Sequence, residues 1–166
     1  MKTYIIDTNC FIQAHQASYP LDVAHSFWRK FKLMADEGKI ISIDKVKKEL
    51  FKNDDSLKDW CSKNLPQDFF KEFSSSAMPE YAKLSYWANS HKQYKPSAKA
   101  VFLDSERADA FLAAYASLDS SKLVVVTQEV SAPDSKTNIK LPDACNEVHV
   151  HCVNLMQMFR ELEETF

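Results

Sequence analysis

The sequence predicts an α/β fold with three α/β/α layers, in which helices cover both faces of a central parallel sheet. Short apolar runs rich in Ile and Val alternate with longer segments whose apolar residues recur at helical spacing. Parallel strands need long, usually helical connections, so this alternation favours a parallel sheet. The length of 166 residues suits one domain, taken as residues 1–166, and we expect four to five strands.

The first half of the chain begins with a strand at residues 3–6, which are apolar and β-prone. Residues 22–37 carry apolar side chains on one helical face, and Gly38 is expected to end that helix in the left-handed conformation. A second short apolar strand follows at residues 39–43. The next helix, at residues 44–51, has two apolar residues four positions apart that would face inward.

The middle of the chain, residues 54–91, is aromatic and is predicted to be helical, with a break near Pro66 and a restart near Ser76. Residues 92–102 are expected to form a loop, because Pro96 and several lysines disfavour a long helix. The remaining predicted elements are a helix at 105–118, a strand at 123–126, a polar loop at 128–140, a short helix or turn at 141–148, a strand at 150–153 and a closing helix at 155–164.

The composition excludes several classes of function. The single glycine rules out glycine-rich phosphate loops, and with them most kinases, ATPases and common dehydrogenases. A net charge of −2 argues against nonspecific coating of nucleic acid. The chain begins with a predicted strand rather than a signal peptide, so the cytoplasm is the expected location. Four cysteines without CxxC spacing favour reduced thiols. No apolar run approaches the roughly 20 residues of a membrane span.

Two aspartates are candidate residues of a functional site. Asp7 ends the first strand, and the carboxyl ends of parallel strands face the crevice in which α/β proteins bind ligands. Its alternative role is to cap the helix that follows. Asp109 interrupts an otherwise apolar helix face, where a buried carboxylate needs a cation, a donor or a ligand. Its alternative role is an ion pair with Arg107 or a lysine.

Three further acids are candidates for the same edge of the sheet. Glu49 lies at the border of the inward face of its helix, although a solvated surface position also fits. Glu129 follows the 123–126 strand, and Thr127 with Glu129 repeats the acid-and-hydroxyl pattern that follows strand one. An ordinary loop acid fits equally well. Asp143 is a further candidate, although many acids in such a position cap a turn.

Converging carboxylates raise one another's pKa, and divalent cations resolve this conflict. Hard oxygen ligands select Mg²⁺ or Mn²⁺. Two such ions, roughly 4 Å apart, can activate water and stabilise a leaving oxygen in phosphodiester cleavage. The acids therefore predict a metal-dependent hydrolase.

The chain resembles the PIN-domain family, as a longer and divergent member. The matching pieces are Ile5-Ile6-Asp7-Thr8-Asn9, then Glu49, then Ala108-Asp109-Ala110-Phe111-Leu112-Ala113-Ala114, and finally Val124-Val125-Val126-Thr127-Gln128-Glu129. The resemblance implies a small α/β/α nuclease fold with metal-dependent endoribonuclease activity. Many small bacterial members look like VapC toxins of toxin–antitoxin pairs, so it also implies a cognate antitoxin.

By this resemblance, Asp7, Glu49 and Asp109 are core metal ligands and catalytic residues. Glu129 would be the fourth catalytic acid, with Asp143 sharing or replacing its role. Thr8, Asn9 and Thr127 would orient the ligands. The family commonly has an aspartate where this chain has Glu129, and its smaller members lack so long a helical middle.

The expected partners are RNA, an antitoxin protein and, in a homodimer, a second copy of the chain. Arg107, Lys95 and Lys99 are the candidate RNA contacts, because they place positive charge near the acids or near aromatic residues. One alternative function is a phosphatase with Asp7 as nucleophile. That chemistry usually uses a second acid, two residues after the nucleophile, as the proton donor. This chain has Asn9 at that position. Another alternative is a catalytically inactive RNA- or protein-binding module on the same fold.

Overall fold

The computed structural model describes all 166 residues and contains one parallel sheet of five strands, flanked by nine helices. The predicted three-layer α/β/α fold is confirmed, with the strand count at the upper end of the expected range. The strand order is β3-β2-β1-β4-β5, so β1 is central. The strands are β1 (Thr3–Ile6), β2 (Ile40–Ile43), β3 (Phe70–Lys71), β4 (Leu123–Val126) and β5 (Cys152–Val153).

The helices lie close to the predicted positions, and none is long and apolar enough to cross a membrane. Gly38 follows the second helix with φ +69°, as its position predicted. A π-helical turn at Ala14–Ser18 and a 3-10 turn at Ser75–Ala77 complete the set. The helices are α1 (Thr8–Gln13), α2 (His25–Asp36), α3 (Asp44–Phe51), α4 (Ser56–Asn64), α5 (Met78–Ser90), α6 (Pro96–Phe102), α7 (Asp109–Ser117), α8 (Leu141–Glu147) and α9 (Leu155–Glu161).

The predicted loop at residues 92–102 is wrong, because α6 occupies most of it. Pro96 begins this helix, where the missing N–H breaks no hydrogen bond. Ala98 and Phe102 are buried on its inner face. The prediction treated proline as a helix breaker, whereas in the first turn it favours a helix.

Two other boundaries differ from prediction. Strand β3 lies in the predicted break between Pro66 and Ser76, where no strand was predicted. It pairs with β2 through only two residues, Phe70 opposite Ser42 and Lys71 opposite Ile43. The helix expected from residue 105 begins at Asp109. A turn precedes it, in which the Arg107 amide donates to the carbonyl of Asp104.

The register of β1 and β4 brings together the residues that follow these strands. Ile6 pairs with Val126, so both strands end at the same level. The Asp7 amide donates to the Val126 carbonyl at 2.9 Å, and the Thr127 amide donates to the Val153 carbonyl at 3.0 Å. Asp7 and Thr127 therefore lie side by side at the carboxyl edge of the sheet.

Candidate active site

A cavity of about 230 Å³ opens at this edge of the sheet, and we call it the acid pocket. Four carboxylates that the sequence singled out line it together. They come from the end of β1, from α3, from the start of α7 and from the segment after β4. The lining residues are Asp7, Thr8, Asn9, Ile12, Gln13, Glu49, Arg107, Asp109 and Glu129.

Asp7 is the most buried of these acids, with 3% of its surface exposed. One carboxylate oxygen, Oδ1, accepts a hydrogen bond from the Thr8 amide at 2.7 Å, and Oδ2 accepts one from the Thr127 hydroxyl at 2.7 Å. Asp7 is thus the N-cap of α1, as the alternative interpretation held. It also faces the acid pocket, so the cap and the pocket use the same side chain.

Thr127 links Asp7 to Asn9. While its hydroxyl donates to Asp7, it accepts hydrogen bonds from Asn9 Nδ2 at 3.0 Å and from the Glu129 amide at 3.2 Å. Asn9 Oδ1 accepts from the Gln128 amide at 3.0 Å. These bonds join the ends of β1 and β4 and fix the Asp7 carboxylate, which fits the orienting role predicted for Asn9 and Thr127.

Glu49 is held from two sides. Its Oε2 accepts a hydrogen bond from the Thr8 hydroxyl at 2.7 Å, and its Oε1 accepts one from the Ala108 amide at 2.6 Å. The side chain therefore connects α3 to α1 and to the residue before Asp109. The structure does not place it as a freely solvated surface acid.

Asp109, the first residue of α7, accepts no hydrogen bond from another residue and forms no ion pair. Burial raises its pKa to about 6, together with the nearby charge of Glu129, while the positive charge of Arg107 opposes this shift. Burial likewise raises the pKa of Asp7 to about 8, with the charge of Asp109 as the next contribution. Neither carboxyl group forms an ion pair, and Asp109 also accepts no hydrogen bond, so burial disfavours the charged form of both.

The structure separates the two candidates for the fourth acid. Glu129 lines the acid pocket, and its Oε2 accepts a hydrogen bond from the amide of Leu141 at 2.8 Å. Asp143 lies outside the pocket, against a separate cavity. Its carboxylate accepts hydrogen bonds from the Ser131 hydroxyl and, at 2.9 Å, from the Ala132 amide. The geometry favours Glu129.

Of the predicted RNA contacts, only Arg107 lines the acid pocket. Lys95 precedes α6, and Lys99 donates its ammonium to the carbonyl of Asn89 at 2.9 Å. Neither lines the pocket. Sequence reasoning missed Gln13, which lies four residues after Asn9 and so shares its helix face. It also missed Lys140, whose positive charge acts on Asp109.

The donor set of the acid pocket fits a hard divalent cation in type and charge. All four acids offer carboxylate oxygen, which Mg²⁺ and Mn²⁺ prefer. In the present side-chain conformations, no three of these acids are arranged so that they could hold a metal ion together. The Asp109 carboxylate nevertheless accepts no hydrogen bond from the protein, so its oxygens are available to a metal ion.

Comparisons with known proteins identify a family but no characterised relative. A search of curated proteins and a search of solved structures each found no match. A family model described as "Domain of unknown function (DUF4411)" matches residues 4–166, a range that includes every residue of the acid pocket. Since this match spans nearly the whole chain, the protein belongs to the DUF4411 family.

Proposed function

We propose that this protein is a metal-dependent endoribonuclease that hydrolyses RNA phosphodiester bonds with Mg²⁺ or Mn²⁺ bound in the acid pocket. One observation carries the proposal: four carboxylates line a single small pocket, and none of them forms an ion pair, although Arg107 lines the same pocket. All ten ion pairs of the protein lie elsewhere. Carboxylates that converge in this way, with Asp7 buried among them, repel one another, and bound cations would remove that repulsion.

The residues that would hold the metal are Asp7, Glu49, Asp109 and Glu129. Divalent ions in such a site supply an activated water and stabilise the leaving oxygen of the phosphodiester. The protein contributes an oxygen-rich pocket at the edge of a rigid sheet. The ends of β1 and β4 are joined by backbone hydrogen bonds, so the Asp7 carboxylate has little freedom to move.

The orienting residues restrict the side-chain conformations of the acids in the metal-free protein. Thr127 fixes Asp7, and Thr8 fixes Glu49. Glu49 in turn accepts a hydrogen bond from the Ala108 amide. This bond fixes the first turn of α7 and therefore the position of Asp109. Preorganisation of this kind contributes to catalysis, because the groups need not reorganise during the reaction.

Arg107 would contact the phosphate of the substrate. It is exposed at the rim of the acid pocket and forms no ion pair, so its guanidinium is free to bind an anion. The planar guanidinium suits two parallel hydrogen bonds to phosphate oxygens. In this role Arg107 would hold the scissile phosphate beside the acids.

The biological role we propose is that of a toxin in a bacterial toxin–antitoxin pair, acting in the cytoplasm. This step rests on the resemblance of the four sequence motifs to PIN-domain nucleases of the VapC type. The parallel α/β/α fold is consistent with that resemblance. A cognate antitoxin and a homodimer remain part of the proposal on the same ground.

The geometry favours the nuclease over a phosphatase with Asp7 as nucleophile. Both carboxylate oxygens of Asp7 accept hydrogen bonds, and the group is almost fully buried. Asn9, at the position where such a phosphatase usually carries its proton donor, is engaged with Thr127 and Gln128. An amide there cannot act as a general acid.

The test is cleavage of structured and unstructured RNAs by purified protein, with Mn²⁺ and with EDTA. We expect cleavage only with Mn²⁺, and none by the Asp7→Asn variant. Asp143→Asn is the matched control, because this acid lies outside the pocket, and it should cleave like wild type. Intact RNA across the whole panel would contradict the proposal. Binding without cleavage would favour the inactive binding module.

A further inference from the structure

A cavity of about 430 Å³ lies between α2 and α4, and we call it the helix cleft. It shares no lining residue with the acid pocket, so the proposed function makes no use of it. Its volume falls within the roughly 300–1,000 Å³ that is typical of pockets for small molecules. The helix cleft therefore has the size of an independent small-molecule site.

Two tryptophans form one wall of the helix cleft. Trp28 of α2 is 3% exposed, and its indole N–H donates to the Tyr19 carbonyl at 2.7 Å. Trp60 of α4 packs against it, with the ring centroids 4.7 Å apart and the ring planes at 61°. Trp60 is only partly buried, so Trp28 supports its ring while the ring stays accessible from the cavity. Such a wall favours a ligand with a flat ring, because aromatic rings stack or meet edge to face.

The helix cleft is positively charged, although the whole chain carries a net charge of −2. Arg29 and Lys32 of α2 line it together with Lys63 of α4. Asp59 is the only acid among the lining residues. Lys32 binds Asp36, which lies outside the cleft, whereas Arg29 and Lys63 form no ion pair. Two cations are thus free to bind an anionic group, and the fork of Arg29 suits phosphate.

Two acceptor groups of the helix cleft favour a nucleotide over a simpler aromatic acid. The Asp59 carboxylate forms no ion pair, and Asn64 uses its amide nitrogen to donate to the Trp60 carbonyl at 2.9 Å. The side-chain oxygens of both residues can accept hydrogen bonds. The hydroxyl groups of a ribose and the amino group of a base donate such bonds. An aromatic acid without donors would leave the Asp59 carboxylate unmatched.

We propose that the helix cleft binds a free nucleoside monophosphate, with its phosphate against Arg29 and Lys63 and its base against Trp60. The phosphate meets the two cations that have no carboxylate partner, and the base covers the accessible ring. The volume suits one nucleotide rather than a strand. This site goes beyond the proposed function, because it requires neither a metal ion nor the acid pocket.

Titration calorimetry with adenosine monophosphate tests the proposal on the full chain. The titration is done in EDTA, so that no divalent cation can hold the phosphate in the acid pocket. We expect the monophosphate to bind at least about tenfold more tightly than adenosine, which lacks the charge. It should exceed ribose 5-phosphate, which lacks the ring, by a similar factor.

Tryptophan fluorescence locates the bound nucleotide. The chain has three tryptophans, and only Trp87 lies outside the helix cleft. In Trp87→Phe the emission therefore comes from Trp28 and Trp60 alone. We expect adenosine monophosphate to change this emission with the dissociation constant that calorimetry gives. Binding heat without any change in emission would place the nucleotide elsewhere and contradict the proposal.

Three variants separate the charge from the ring. Arg29→Gln should weaken binding of the monophosphate by about tenfold, because it removes a charged donor. Trp60→Leu keeps an apolar side chain without the ring and should weaken binding by a similar factor. Arg160→Gln is the matched control, because this exposed arginine of α9 lies outside the helix cleft, and it should change the dissociation constant by less than about twofold. Thermal melting establishes that each variant is folded, and if Trp60→Leu is not, ribose 5-phosphate still tests the ring.

Several results would overturn the proposal. Equal binding of the monophosphate, adenosine and ribose 5-phosphate would do so, as would an Arg29→Gln effect no larger than that of Arg160→Gln. Loss of binding in Arg107→Gln alone would place the nucleotide in the acid pocket. Tighter binding of hexaglutamate or of hexaadenylate would assign the helix cleft to an acidic peptide or to an RNA strand. Since no step needs Mn²⁺ or cleavage, these outcomes are independent of the proposed nuclease.

Discussion

Two groups of charged residues in this protein have opposite environments. In the first, Glu164 near the chain end binds Lys30 at 2.8 Å and also Lys39. The hydrogen bond from Lys30 makes the largest contribution and that from Lys39 the next, and together they lower the pKa of Glu164 to about 2. In the acid pocket no carboxylate has such a partner, and the pKa of Asp7 rises to about 8.

The difference shows what each group does for the protein. Glu164 joins the end of the chain to α2 and to the start of β2, so its charge stabilises the fold. The charges of the acid pocket destabilise the fold when no cation is bound. Two lysines pair with Glu164, whereas the acids of the acid pocket form no ion pair, and this contrast supports the proposed cation in the pocket.

The largest expected effect is on catalysis. Asp109→Asn and Glu49→Gln should each reduce the single-turnover rate of Mn²⁺-dependent RNA cleavage by about a hundredfold or more, because each removes a proposed metal ligand and with it the transition-state stabilisation that we assign to the metal. Glu164→Gln should leave that rate unchanged at a temperature where it is folded. Near-normal cleavage by Asp109→Asn would remove this residue from the site and break the contrast between the two groups.

The same substitutions should have opposite effects on stability. Without metal at pH 8, Asp109→Asn should melt at the same temperature as wild type or higher, because it relieves repulsion and desolvation of a charge. Glu164→Gln should melt at a lower temperature, because it breaks two ion pairs. Thermal unfolding in EDTA compares them. A clear loss of stability in Asp109→Asn would indicate a structural role instead.

The two groups should also differ in their dependence on pH. Between the ordinary pKa of Asp7, 3.8, and its raised value of about 8, the folded protein keeps a proton that the unfolded chain has lost. This group therefore makes the metal-free protein less stable as pH rises, by about 1.4 kcal/mol per pH unit. The stabilisation by Glu164 is instead present above its ordinary pKa of 4.5 and is lost as pH falls towards 2.

Urea denaturation in EDTA at pH 5, 6, 7 and 8 isolates the contribution of Asp7. The free energy of unfolding of Asp7→Asn should increase relative to wild type as pH rises over this range. The corresponding difference for Glu164→Gln should stay constant, because Glu164 remains ionised throughout. Parallel curves for Asp7→Asn and wild type would show that Asp7 is ionised in the metal-free fold.

The smallest expected effect concerns the border of the acid pocket. Glu129→Ala should weaken Mn²⁺ binding, because it removes a carboxylate from the pocket, while Asp143→Ala should leave it unchanged. Titration calorimetry measures both affinities. If only Asp143→Ala weakened binding, the fourth acid would be reassigned to Asp143.

Much of the site could be predicted because it depends on local patterns. The apolar runs before Asp7 and Thr127 identify buried strands, and parallel strands end at a common edge. Helical spacing identifies Asp109 as a polar residue on an apolar face. Such patterns are properties of short segments, so the sequence alone reveals them.

The parts that could not be predicted depend on distant contacts. The two residues of β3 form a strand only because β2 lies beside them. The choice between Glu129 and Asp143 depends on how the segment after β4 returns, which places the Leu141 amide against Glu129. The same return brings Lys140 to a cavity that Asp109 also lines. No spacing rule specifies such a path.

The most direct test of the central claim is the change in melting temperature on addition of Mn²⁺ to wild type, Asp109→Asn and Glu164→Gln. A ligand of the folded state stabilises it by RT ln(1 + [L]/Kd), which is about 2.7 kcal/mol when its concentration is 100 times Kd. Mn²⁺ should raise the melting temperature of wild type and of Glu164→Gln by equal amounts, and that of Asp109→Asn by much less. A wild type that melts at the same temperature with and without Mn²⁺ would contradict a metal site in the acid pocket.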